Sequence, residues 1–170
     1  MNDAPEVVLQ APASIDEWML AAHILEEYGA SLRIDLSFQD FPGEVRDPSL
    51  VYGPDGARLL LAWVDGAVAG CGALRPLADA PDANACEMKR LYVRPAFRRF
   101  GLGRALAGAL MAAAVEQGYS VMYLDTLSDM AAARELYDSL GFEPTDPYYY
   151  NPVPGAHYFR ADLSGGVSRY

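Results

Sequence analysis

Apolar positions along the chain recur at two periods, and the changes between them mark the elements. The short apolar run Glu6 to Gln10 predicts a first strand. From Ile15 to Tyr28, Trp18, Met19, Ala22 and Leu25 fall at helical spacing, and Ser14 or Asp16 can cap the helix they imply. Residues 36–48 mix charge with prolines and a glycine, which predicts a short helix within loops, anchored by Phe38 and Phe41. Arg58 to Val64 and Ala67 to Leu74 predict a hairpin turning at Asp65-Gly66, a pair that accepts the positive φ angles of tight turns. Leu77 to Ala85 has loop composition, and Glu87 to Val93 is the next strand, stopped by Pro95, which lacks a ladder donor.

Beyond it, Leu102, Ala105, Leu106, Ala109, Leu110, Ala113 and Ala114 repeat at three- and four-residue steps, giving a helix with one apolar face that Gly118 ends. Ser120 to Thr126 is nearly continuous in apolar residues, the pattern of a strand covered on both faces, and implies parallel pairing with the strand before the helix. A further helix is expected over 129–140, with Ala133, Leu136, Tyr137 and Leu140 on one face and Gly141 as its stop. Phe142 to Thr145 and His157 to Leu163 close the sheet, and residues 164–170 are expected to form a frayed tail. The 170 residues predict one α/β domain with no internal repeat.

Composition narrows the function. The formal net charge of −10, without a broad basic stripe, argues against nucleic-acid binding and suits a protonated amine as partner. No apolar run approaches the ~20 residues of a membrane span, and Asp3 sits where a signal peptide would be basic, so the expected location is the cytoplasm. Cys71 and Cys86 then read as small buried thiols, and with only His23 and His157 beside them no metal-ligand spacing exists.

Against this acidic background, Arg98-Arg99-Phe100-Gly101-Leu102-Gly103-Arg104 concentrates three arginines and two glycines between a strand and a helix. A helix start exposes unpaired N–H groups and the positive end of the dipole, glycines allow close approach, and guanidinium forks match phosphate oxygens. A solvated turn is the alternative. The spacing is not that of a dinucleotide fold, because Ala105 and Leu106 stand where a third glycine would be needed, and there is no Walker lysine.

Arg-x-x-Gly-x-Gly resembles the coenzyme A loop of the GCN5-related N-acetyltransferase (GNAT) family, and the resemblance extends through Glu87 to Pro95 upstream and Leu136 to Phe142 downstream. It covers residues 57–163 closely and the first fifty-odd residues in layout only. It implies an acyl-CoA N-acyltransferase fold (α/β, or α+β by some schemes): a mixed central sheet with two splayed parallel strands, flanked by about four helices. It further implies an acyltransferase that moves an acetyl group directly from acetyl-CoA to a primary amine of a small molecule. A noncatalytic acyl-CoA sensor or a protein-acetylating enzyme would share the same motifs. Neither metal, nucleic acid nor membrane is implied, and a homodimer is compatible with the sequence.

The same resemblance assigns roles to residues. Leu91, Tyr92 and Val93 would meet the pantetheine arm through the backbone, with an N–H polarising the thioester carbonyl. Arg98, Arg99, Phe100, Gly101, Leu102, Gly103 and Arg104 would hold the diphosphate, and Met130, Ala133 and Arg134 would flank the cofactor. Met130 replaces an asparagine common in relatives, and Arg134 either reaches phosphate or pairs locally. Glu87, fourteen positions before Gly101, is the candidate base, or else pairs with Lys89 or Arg90 in a surface network. Tyr137 would protonate the departing thiolate, or else is core. Tyr148, Tyr149 and Tyr150, with Phe38, are candidate acceptor-site residues; the alternative is a rigid loop packed on its own aromatics.

Overall fold

A computed structural model describes residues 3–32, 35–127 and 131–164, apart from the side chain of Phe38. Seven strands form one sheet in the order β1-β2-β3-β4-β5-β7-β6, where β1 is Val7–Gln10, β2 Arg58–Val64, β3 Ala67–Pro76, β4 Ala85–Val93, β5 Val121–Thr126, β6 Glu143–Pro144 and β7 His157–Asp162. The helices are α1 (Ile15–Leu32), α2 (Phe41–Arg46), α3 (Pro48–Tyr52), α4 (Leu102–Glu116) and α5 (Ala131–Ser139). Neighbouring strands are antiparallel except β4 and β5, which run parallel as the apolar run at 120–126 implied.

Alternation within β2 shows why the sheet needs helices on both faces. Leu59 and Leu61 are buried with Ala21, Ile24 and Leu25 of α1, whereas Leu60 and Ala62 are buried with Leu106 and Leu110 of α4. Leu106 and Leu110 are completely enclosed, and each such side chain contributes about 1.5–3 kcal/mol.

Several boundaries differ from expectation for local reasons. Ser14, not Asp16, caps α1: its hydroxyl accepts from Glu17 N (3.1 Å), while the Glu17 carboxylate accepts from Ala13 N (2.8 Å). Helix α1 continues to Leu32, four residues beyond Tyr28. Where one short helix was expected, α2 and α3 both form, because Asp47 caps the second by accepting from Ser49 N (3.2 Å) and Pro48 sits at its first turn. Strand β4 begins two residues early, at Ala85, since Ala85 already pairs with Val121. Residues Pro95–Phe100 coil into a 3₁₀ helix, with proline at its start, instead of an open loop. The expected start of the last helix at 129 and the tail at 165–170 lie outside the described residues.

Two features of β4 shape the site. Only Ala85, Cys86 and Glu87 pair with β5 (Val121, Met122 and Tyr123), after which the strands part while β4 stays on β3 to Val93. At the same place the β3–β4 register shifts, and Arg90 adopts φ 60°, a left-handed conformation that is costly for a side chain with a Cβ.

Close approach of β3 to β4 also requires Gly70: a Cβ there would lie 2.7 Å from the Tyr92 carbonyl oxygen. Gly70→Ala is therefore expected to destabilise the fold by about 1–3 kcal/mol in urea unfolding. A stability equal to that of the parent protein would mean that the strands separate without penalty.

Candidate functional site

Where β4 and β5 part, a cleft of about 770 Å³ opens and runs to the start of α4. Its walls are apolar along the middle, with Leu91 and Val93 from β4, Leu124 from β5 and Leu136 from α5. An extended thioester-bearing arm needs such a slot.

At one end, Gly101 caps α4 with φ 67°, which glycine adopts freely, and turns the chain from the 3₁₀ helix into α4. The N–H groups of residues 102–104 have no carbonyl one turn earlier in the helix to receive them. Arg98 and Arg104 flank this start; Arg98 Nε donates to the Val93 carbonyl (3.0 Å), and an Arg104 Nη donates to the Ser139 hydroxyl. Unpaired N–H groups, the helix dipole and two guanidinium groups make this end fit a diphosphate.

The opposite end holds a chain of polar contacts. Gln39 Oε1 accepts from both Lys89 Nζ (3.0 Å) and Arg90 Nη1 (2.8 Å), and Gln39 Nε2 donates to the Tyr149 hydroxyl (3.2 Å). That hydroxyl in turn donates to Asp125 and accepts from Asn151 Nδ2 (3.1 Å). Consecutive residues of a regular strand point to opposite faces, so Lys89 and Arg90 reach one acceptor only because Arg90 has left-handed backbone geometry. Asp125 is the only carboxylate among the described residues lining the cleft.

Burial drives the protonation states. Lys89 is 6% exposed, and desolvation lowers its pKa to about 8, opposed in part by nearby Glu87. Between about 8 and the ordinary 10.5 the unfolded chain holds the extra proton, so Lys89 adds stability as pH rises through that window. Burial, followed by the bond to Asp125, raises Tyr149, which keeps it a donor at neutral pH. Burial alone is the leading cause that pushes Tyr137 up to about 12. The thiols of Cys71 and Cys86 are likewise pushed up to about 12, chiefly by burial, and stay protonated and inert.

Several expected residues meet at the cleft. Leu91, Tyr92, Val93, Arg98, Gly101, Leu102, Gly103, Arg104, Ala133 and Tyr137 all line it. The Tyr137 ring packs against Phe142 and Phe159 at centroid distances of 5.9 and 5.7 Å, and its hydroxyl makes no hydrogen bond among the described residues. Other expected residues lie elsewhere. Arg99 stacks on Phe100 (4.9 Å), and neither lines the cleft, because the 3₁₀ helix carries them to its outer side. Arg134 lies off the lining, with Nη2 3.1 Å from His157 Nε2. Met130 and the Phe38 side chain are outside the described residues.

Glu87 also stands off the lining. It is 1% exposed, bonded by Arg75 Nε (3.1 Å) and the Tyr148 hydroxyl (2.6 Å), with Lys89 Nζ at 3.7 Å. The ion pairs therefore centre on a buried Glu87 and involve Lys89, also buried, and the half-buried Arg75, instead of forming a surface network with Arg90. Arg90 goes to Glu44 of α2, donating through Nε (2.8 Å) and Nη2 (3.1 Å). Among the three tyrosines, Tyr148 packs behind Glu87 against Tyr123, Tyr149 joins the cleft's polar chain, and Tyr150 is 86% exposed.

Asp125, Gln39 and the inward pairing of Lys89 and Arg90 were missed in the sequence. One signal for Asp125 was available: an acid near the carboxyl end of an otherwise apolar strand, where open α/β sheets place their ligands.

Comparison with known proteins agrees with this geometry. Residues 18–142 match the acetyltransferase (GNAT) family. The chain is 39% identical over 158 residues to an uncharacterized N-acetyltransferase of Schizosaccharomyces pombe, covering 92% of this chain and 93% of that protein. Among solved structures, a GNAT-family acetyltransferase of Staphylococcus aureus superposes with TM-score 0.74 at 18% identity, over 94% of this chain and 100% of that one. A Salmonella typhimurium protein solved with its cofactor acetyl-CoA gives TM-score 0.66 at 20% identity, over 95% and 96% of the two chains.

Proposed function

Because this chain belongs to the acetyltransferase (GNAT) family and is thereby an acetyl-CoA-dependent acyltransferase, we propose that its acceptor is the primary amine of a small molecule. Support comes chiefly from the fork between β4 and β5, which joins a diphosphate-shaped end to an end that carries a single carboxylate among the described residues. A protein chain as acceptor would call for an open groove, whereas the far end of this cleft is crossed by the contacts among Gln39, Tyr149 and Asp125.

When bound, acetyl-CoA supplies an activated acetyl group as its thioester. The residues of this chain do the rest. Gly101, Gly103, Arg98 and Arg104 hold the diphosphate, and the apolar walls exclude water from the reacting region. An ammonium must lose a proton before its nitrogen can attack. Asp125 is the group the cleft offers for that ammonium, and Tyr149 and Asn151 orient its carboxylate. Glu87, expected as the base, acts in this scheme as the buried counter-charge that holds Lys89 in place. Tyr137 carries a proton that its raised pKa retains throughout the neutral range, available to a leaving thiolate. With two buried thiols kept reduced, the cytoplasm is the proposed location.

Two measurements test the proposal. Coenzyme A at one hundred times its Kd is expected to stabilise the protein by about 2.7 kcal/mol in thermal unfolding. A panel of small amines is expected to release free thiol from acetyl-CoA, while peptides with free N-termini or lysines release none. Peptide acetylation in the absence of small-amine turnover would overturn the acceptor assignment.

A further inference from the structure

The acceptor end of the cleft is built from more than its single acid. Lys89 and Arg90 face it together with Asp125, and all three meet through Gln39 and Tyr149. Two cations beside one carboxylate are an odd lining for a site whose substrate arrives as a simple ammonium ion. They are not there for the diphosphate either, since Arg98 and Arg104 serve that at the other end.

Arg75, Lys89 and Arg90 stand against Glu87, Glu44 and Asp125, three of each sign, linked by the pairs Arg75–Glu87, Lys89–Glu87 and Arg90–Glu44 and by the chain from Gln39 to Asp125. A largely buried cluster that is already neutral, only Arg75 and Asp125 being half-buried, cannot take up an unbalanced charge cheaply. A simple alkylammonium would add one positive charge and would stand close to Lys89 and Arg90. A zwitterion adds none. It also offers each half of the lining a partner: an ammonium for Asp125 and an anion for the cationic half.

The cationic half retains donors for that purpose. Arg90 is committed, with Nε and Nη2 on Glu44 and Nη1 on Gln39. Lys89 is not, because its ammonium has three hydrogens, one of which goes to Gln39 at 3.0 Å while Glu87 stays at 3.7 Å, beyond hydrogen-bond distance. One lysine with donors in hand suits a singly charged carboxylate better than a dianionic phosphate.

We infer that the acceptor is a carboxylate-bearing primary amine of the amino-acid class, its ammonium held by Asp125 and its carboxylate by Lys89 beside Gln39. This deepens the small-amine assignment and rests on it. The acidity of the chain as a whole favours cationic partners, but the charges within a few ångströms of the bound molecule outweigh a dispersed surface charge that solvent and salt screen.

The reaction balances without further components. The amine nitrogen forms an amide bond to the acetyl carbon and the carbon–sulfur bond breaks; of the two protons the nitrogen loses, one leaves through Asp125 to solvent before attack, and the other, lost after attack, replaces the proton that Tyr137 gives to the thiolate.

Discrimination between paired substrates provides the test. At saturating acetyl-CoA, thiol release is compared for a panel of L-amino acids, for the amines left when their carboxylates are removed, and for their carboxamides. The best amino acid is expected to exceed its decarboxylated amine and its amide by about 100-fold in kcat/KM, the scale of one lost charge-assisted hydrogen bond. Lys89→Met, which keeps the length of the side chain, is expected to raise KM for the amino acid at least tenfold more than KM for its decarboxylated amine, with coenzyme A stabilisation retained as evidence of folding. Equal or better turnover of the decarboxylated amines, or no turnover of any amino acid by protein that binds coenzyme A, would overturn the inference. Loss of coenzyme A binding by the unmodified protein would instead overturn the proposed function beneath it.

Discussion

Glu44→Ala will destabilise this protein by about 3–5 kcal/mol, read as a lowered urea midpoint without a change in slope. Glu44 and Arg90 are 3% and 4% exposed and pair at 2.8 Å through two parallel hydrogen bonds. Removing the carboxylate leaves a guanidinium that cannot lose its proton buried against Tyr28 and Phe41, whose ring centroids lie 6.0 and 4.8 Å away. The damage is uncompensated charge, so taking the charge away should repair it: Glu44→Ala combined with Arg90→Met is expected to recover at least half of the loss. A single variant costing less than about 1 kcal/mol would mean that water reaches the Arg90 guanidinium and that α2 is not anchored through it. The pair matters for function because it fixes the strained residue at the fork. A loosened Arg90 would release Lys89 and Gln39 as well, so acceptor KM should rise in Glu44→Ala even at temperatures where the protein stays folded.

Tyr137→Phe is expected to lower kcat about 100-fold while the KM for acetyl-CoA changes only a few-fold. The substitution removes one oxygen and keeps the ring contacts with Phe142 and Phe159, so the fold and the cleft wall persist. With its pKa pushed up to about 12 by burial, the phenol remains protonated over any practical assay range. The loss should therefore be nearly constant from pH 6 to 10, and no limb of the wild-type profile in that range should be traceable to this residue. Unchanged kcat in Tyr137→Phe would remove the acid role and leave Tyr137 as a core side chain.

Legibility varied along the chain with the range of the interactions involved. The hairpin at Asp65-Gly66, the amphipathic α4 and the doubly covered β5 were readable because each is set by local periodicity and turn chemistry. The residues around Gly101 were readable for a related reason: N–H groups, dipole and guanidinium forks come from one contiguous stretch. Glu87 shows the opposite case. The family resemblance made it the candidate base, yet its surroundings are supplied by Arg75 on β3 and Tyr148 from the loop before β7, 12 and 61 positions away. Sequence proximity to Lys89 and Arg90 did not reveal which of them it would meet, because the left-handed Arg90 changes the facing of side chains at that point.

The order of elements, the parallel pair, the phosphate-shaped helix start and the apolar helix face that carries Tyr137 were thus determined by the chain's own pattern, since periods of two and 3.6 residues dictate which side chains share a face. Tertiary structure decided the polar end of the cleft, proposed above to hold the acceptor. Gln39, Lys89, Asp125 and Tyr149 come from four separate segments and become neighbours only where β4 and β5 part. Burial then alters the chemistry they bring. An amine lowered to about 8 and a cluster of buried, balanced charges are consequences of excluded water, and no linear arrangement of residues specifies how much water a fold excludes.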